Sequence, residues 1–75
     1  MWDRVTAIFR DVFDDTSLTI NETTTAPDIE GWDSFNHINL IMSIEEEFDI
    51  SFATKEIGGL GSVKDLVALI KKKTL

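Results

Sequence analysis

Between Ser34 and Phe48 seven apolar residues recur at helical spacing, and the arc they cover is wider than one packing face needs. With Ser34 at the origin of a helical wheel, Leu40, Ile41, Ile44 and Phe48 share one side and Phe35, Ile38 and Met42 share another. Together they span ~220°, where a surface helix needs a stripe of only ~100°. Either this helix is central to a bundle and buried on two sides, or its first face lies in the core and its second is partly exposed for a partner. Glu45 falls inside the apolar arc, and an unpaired buried carboxylate is costly, so its position predicts that the second stripe faces water.

Two amphipathic segments flank this helix. Trp2, Val5, Ile8, Phe9, Val12 and Phe13 follow i, i+3, i+4 spacing over ~140° and predict a helix over 2–13. Val63, Leu66, Val67, Leu69 and Ile70 predict another that opens at Ser62, with Asp65 as a capping partner and Lys71–Lys73 at the negative end of its dipole. Thr54–Ile57 reads as one short helical turn ended by Gly58 and Gly59. From Asp14 to Asp33 runs a loop of about twenty residues, long enough to require pinning, for which Leu18, Ile20, Ile29 and Trp32 are available. Nothing alternates as a strand would. The fold class is all-α, a small bundle of three main amphipathic helices plus one short helical turn, in a single domain over residues 1–75.

At 43% hydrophobic, the chain is too apolar for a disordered segment. No cysteine and one histidine leave no zinc site and no redox thiol. Residues 1–60 carry thirteen acids against three bases, whereas residues 61–75 carry four lysines against Asp65. An acidic body repels phosphate backbones and attracts basic proteins, which argues against nucleic acid as a partner. The start Met1-Trp2-Asp3-Arg4 has no secretory character, and no apolar run approaches a membrane span. A cytoplasmic, monomeric protein without a membrane partner is the expectation. In that setting the glycosylation sequon at Asn21-Glu22-Thr23 is a chance match.

Asp33 and Ser34 stand where the central helix begins, and either can cap it. A serine hydroxyl there sits where backbone N–H groups and the helix dipole favour an attached phosphodiester, although on position alone an ordinary capping serine is the readier account. A hydrolytic triad of Asp33, Ser34 and His37 fails on geometry, because an acid at i−1 does not share a helix face with a serine at i. His37 is expected to be a solvated helix residue. Asp14-Asp15-Thr16-Ser17 lacks the spacing and the glycine of an EF-hand loop. No catalytic residue and no metal ligand emerges.

Gly31-Trp32-Asp33-Ser34-Phe35, followed by Ile38, Leu40-Ile41-Met42 and Ile44-Glu45-Glu46-Glu47-Phe48-Asp49-Ile50, closely resembles the acyl carrier protein family. In that family an Asp-Ser-Leu-like motif opens the second helix and the serine carries 4′-phosphopantetheine. Length, helix order, the long first loop and acidity agree over nearly the whole chain. The resemblance implies that Ser34 is the covalent attachment site for 4′-phosphopantetheine taken from coenzyme A, and that Asp33 is its recognised neighbour. It also implies that the arm's thiol holds acyl groups as thioesters, so the chain is a carrier and not an enzyme. Phosphopantetheinyl transferase and acyl-loading and acyl-processing enzymes with basic docking patches become the implied partners, meeting Phe35, Ile38, Met42, Glu45 and Glu46.

Phe35 departs conservatively from the usual leucine. Asn36 and Asn39 stand where many fatty-acid-synthesis carriers place acids, which thins the negative face and suggests a stand-alone specialised member with its own partners. A peptidyl or D-alanyl carrier shares fold and arm. From a different class, an unmodified helical interaction module would use Phe35, Ile38 and Met42 without any arm.

Overall fold

The computed structural model describes residues 1–74, which form four α-helices and one 3-10 turn with no strand among them. The helix α1 spans Trp2–Val12, α2 Ser34–Phe48, α3 Thr54–Ile57 and α4 Val63–Thr74. Helix α1 ends one residue earlier than its apolar spacing predicts, because Phe13 is already its C-cap, bonding back to the Phe9 carbonyl at 3.0 Å.

The three longer helices meet along their apolar stripes. Val5 and Phe9 of α1, Leu40, Ile41 and Ile44 of α2, and Val63, Leu66, Val67 and Ile70 of α4 form one buried cluster with Ile29, Phe52 and Leu60 from the connections. Fully burying one such side chain contributes roughly 1.5–3 kcal/mol, so this cluster is what holds so short a chain together.

Phe48 lies outside that cluster, contrary to its expected place in the core. It is half-buried, and the Arg4 guanidinium stands 4.4 Å from its ring centre. The physical reason is position: Phe48 is the last residue of α2, at the rim where α1 begins. Arg4 is fixed there in turn by Glu47, with Nε donating to the carboxylate at 2.8 Å and Nη2 to the Glu47 carbonyl at 2.9 Å.

The connection 13–33 is more ordered than its polar composition suggests. Arg10 Nε donates to the Leu18 carbonyl at 2.7 Å, folding the chain back against α1. Asn21 accepts from the Thr23 amide at 2.9 Å in an Asx turn. A 3-10 turn at Ala26–Asp28 comes next, with the Asp28 carboxylate accepting from both the Thr25 amide and hydroxyl at 3.0 Å. The segment is stitched to the start of α4 by an isolated bridge, in which Ala26 N–H meets the Gly61 carbonyl and Val63 N–H the Thr24 carbonyl, each at 3.0 Å. Of the four expected pins, Ile29 is buried and Leu18, Ile20 and Trp32 are half-buried against the core. Trp32 sets its edge on Phe9, 5.5 Å between centres at 77°.

Helix α3 is anchored differently. It buries no residue. Glu56 accepts from the Ala53 amide at 2.7 Å and pairs with Lys73 of α4 at 3.0 Å, while the Lys73 ammonium also lies over the Phe52 ring. No described helix is long and apolar enough to cross a membrane.

Candidate functional site

The entry into α2 is built by Gly31, Asp33 and Asn36 acting together. Gly31 adopts φ +89°, a left-handed conformation that a side chain would strain, and its carbonyl then accepts from the Asp33 amide and from Asn36 Nδ2, both at 2.8 Å. Asp33 is the N-cap, accepting from the Asn36 amide at 2.8 Å. Ser34 is therefore the first helical residue and not the cap, which resolves the choice between the two. Its side chain is exposed at the positive end of a fifteen-residue helix and is not the one that caps it.

Beside Ser34 opens a cleft of about 560 Å³ between the start of α2, α3 and the Leu60–Gly61 connection. Its walls are mainly apolar, with Trp32, Ile38, Ile57 and Leu60 around Ser34 and His37. On the outer side of α2 the second stripe lies open to solvent: Phe35 is 74% exposed, Ile38 47% and Met42 60%. The apolar arc of the sequence is thus divided by the fold, one face in the core and one in water. Glu46 is exposed next to that ridge.

Glu45 departs from its expected role. It is half-buried, and its carboxylate accepts from the Phe52 amide at 2.8 Å, closing the chain after α2. The stripe beside Glu45 does face water, but Glu45 itself is partly engaged by a backbone donor, while Glu46 next to it is exposed. Asn36 likewise has an internal task, since its amide holds the Gly31 carbonyl. An acid at 36 would bring no donor to that carbonyl.

His37 is not a solvated residue either. It is half-buried between Trp32 and α3: Trp32 Nε1 donates to Nδ1 at 2.9 Å, and Nε2 lies 2.8 Å from the Ile57 carbonyl. An indole N–H can only donate, so Nδ1 accepts and the proton sits on Nε2, which donates to Ile57. The pair Trp32 and His37, five residues apart across a helix start, carries no periodic signal that a sequence reading would single out. One carboxylate near the cleft is also displaced in its titration. The Ala53 N–H bond, aided by the Lys73 ammonium, holds Glu56 below the usual carboxylate range.

No family model matches the chain. Curated relatives do. Over 45 residues it is 40% identical to an acyl carrier protein of Buchnera aphidicola, covering 60% of this chain and 56% of the relative. Over 44 residues it is 46% identical to one of Clostridium acetobutylicum, covering 59% and 57%. These matches thus span little more than half the length of the curated relatives. The solution NMR structure of a holo acyl carrier protein from Geobacter metallireducens superposes with a TM-score of 0.88 at 47% identity, over 96% of this chain and 83% of that one. These relatives are named as carriers and not as enzymes. With its fold matched over 96% of its length at 47% identity, this chain belongs to the acyl carrier protein family.

Proposed function

We propose that residues 1–75 form a single carrier domain in which Ser34 bears 4′-phosphopantetheine and acyl groups travel on it for dedicated transfer enzymes. The observation that carries this reading is the freedom of Ser34: Asp33 takes the capping role, leaving an exposed hydroxyl at a helix N-terminus beside an apolar cleft. The residues fit the group. The first turn of α2 suits a phosphodiester, and Trp32, Ile38, Ile57 and Leu60 offer apolar walls to the rest of the arm. When attached, the arm supplies a terminal thiol that holds cargo as a thioester, which this cysteine-free chain does not supply itself. Asp33 fixes the helix start and so the bearing of the Ser34 side chain toward a transferase.

Partner enzymes would dock on Phe35, Ile38 and Met42, an apolar ridge whose flank is acidic through Glu46 and the N-terminal Asp33. Basic patches on a phosphopantetheinyl transferase and on acyl-processing enzymes complement it, and steering by exposed charges falls as salt rises. The carrier acts as a monomer, with fatty-acid or polyketide assembly as the classes of use; a peptidyl or D-alanyl cargo would use the same arm.

The test is the intact mass after incubation with coenzyme A and a broad-specificity phosphopantetheinyl transferase. A single addition is expected, abolished in Ser34→Ala. Because Ser34 is not the cap, that variant should keep its stability within about 0.5 kcal/mol. An unchanged mass in the parent would favour an unmodified interaction module using the same ridge, and addition that survives Ser34→Ala would place the site elsewhere.

A further inference from the structure

The neutral His37 ring is the only side chain that ties the residue ahead of the Asp33-Ser34 entry to α3 through two hydrogen bonds, among the described residues. Both bonds use one tautomer. Trp32 Nε1–H requires an acceptor at Nδ1, and the Ile57 carbonyl requires a donor at Nε2. The near-parallel rings, 22° apart with centres 6.1 Å from one another, suit such an edge-on N–H···N contact. Trp32, His37 and Ile57 all line the cleft beside Ser34, so the imidazole links two of its lining residues.

We propose that His37 is a positioning residue for this cleft: its neutral ring holds Trp32 against Ile57, and gain of a proton at Nδ1 releases Trp32 and reshapes the wall beside Ser34. The proposal rests on the reading of Ser34 as the attachment site for its functional consequence, but not for its physical one. A proton taken from solvent by Nδ1 turns the acceptor into a second donor facing the indole N–H, and the Trp32 bond is lost. The Nε2–H bond to Ile57 survives and becomes charge-assisted. The response is therefore one-sided. The indole, left with an unpaired half-buried donor, shifts from its seat on Phe9 and Phe13, whereas α3 stays against α2.

The charged surroundings do not supply a substitute for the Trp32 bond. Asp33 is the one other titratable group lining the cleft; its Oδ1 accepts from the Asn36 amide and its side chain is exposed to water, which competes with any indole donor. Glu30 lies in the segment before it and is exposed. On α3, Lys55 is exposed and Glu56 is turned to Ala53 and Lys73. The connection 58–62 has no titratable side chain. On α1, behind Phe9 and Phe13, Arg10 is occupied by the Leu18 carbonyl.

The experiment uses the full chain without any arm. Nitrogen-resolved NMR of the unmutated protein should show the Nε2–H tautomer while the ring is neutral, and on acidification the Trp32 indole resonance should move together with the His37 ring nitrogens. The Ile57–Gly59 amides should move little. In a Trp2→Phe background, which leaves Trp32 as the sole emitter, the fluorescence should shift with the same midpoint. His37→Gln retains one acceptor and one donor without a titrating group, and should flatten both signals. Loading rates of the parent divided by those of His37→Gln should then fall on acidification, the transferase's own pH dependence cancelling in the ratio. An Nδ1–H tautomer, an indole signal that ignores the His37 titration, or a flat ratio would each overturn the proposal. Absence of loading in the parent would instead sink the Ser34 reading while the tautomer and the indole titration still decide the tie.

Discussion

Helix α2 has two sides held by different forces. Toward α1 and α4 it presents Leu40, Ile41 and Ile44, all buried, in non-directional apolar contact. Toward α3 the contacts are sparser and more directional: His37 joins α2 to Ile57, Glu45 holds the Phe52 amide ahead of α3, and α3 itself is kept in place by the Glu56 cap on Ala53, the Glu56–Lys73 pair to α4 and the half-buried Ile57. The first side carries the stability and tolerates no vacancy, because a packed core relaxes only partly around a cavity. The second can open locally without unfolding the whole, since α3 buries none of its residues. The proposed attachment serine stands at the boundary between the two, on a helix anchored by the core and beside a wall that combines buried Leu60 with the half-buried Ile57 of α3.

The strongest way to break this division is to remove a methylene cluster from the packed side. Ile44→Ala should cost about 2–5 kcal/mol in denaturant unfolding, which approaches the whole stability of a chain this small. A loss comparable to that of a surface substitution would mean that the core does not bear the load. Next in size is Phe48→Ala. At the rim, under Arg4, it should cost roughly 1–3 kcal/mol, less than a truncation in the core proper, through lost packing and a lost cation–π contact.

Met42→Ala tests the outward ridge on the same helix. With Met42 60% exposed, the substitution should alter stability by no more than about 0.5 kcal/mol while weakening docking to a transferase. If it destabilises as Phe48→Ala does, the ridge is part of the fold and not a free surface.

The finest probe addresses the polar side through pH. Glu56 has its carboxyl held below the usual range chiefly by the Ala53 N–H, so the folded state favours the charged form. Its contribution is complete above the unfolded value and disappears as pH falls through the lower folded one. Glu56→Gln should therefore abolish a small acid-dependent loosening of α3, read as amide exchange at Ala53 and Ile57. An unaltered pH profile in Glu56→Gln would show that the α3 anchorage lies in other contacts.

Several elements are legible in the residues because they rest on local rules. The bounds of α2 come from a capping pair, Asp33 or Ser34, and from an apolar period that ends at Phe48, and the turn at Thr54–Ile57 from the glycines beyond it; the structure then chose Asp33 as the cap. Phe48 defeats a helical wheel because a wheel gives direction but not depth, and the last residue of a helix lies at the edge of its packing partner. Glu45 and His37 defeat it for a related reason: polarity alone does not tell whether a side chain meets water or a backbone group from a distant segment.

The sequence by itself determined the set of amphipathic faces, the acidic body and the Asp33-Ser34 helix entry, since periodicity, charge and capping act over one or two turns. Only the tertiary structure decided which apolar stripe is buried, that Thr25 meets Ser62, and that Trp32, His37 and Ile57 close on one another beside Ser34. Those outcomes depend on how three helices share one small core, and hydrogen bonds between segments twenty or more residues apart form only where that packing brings a donor and an acceptor to the same place.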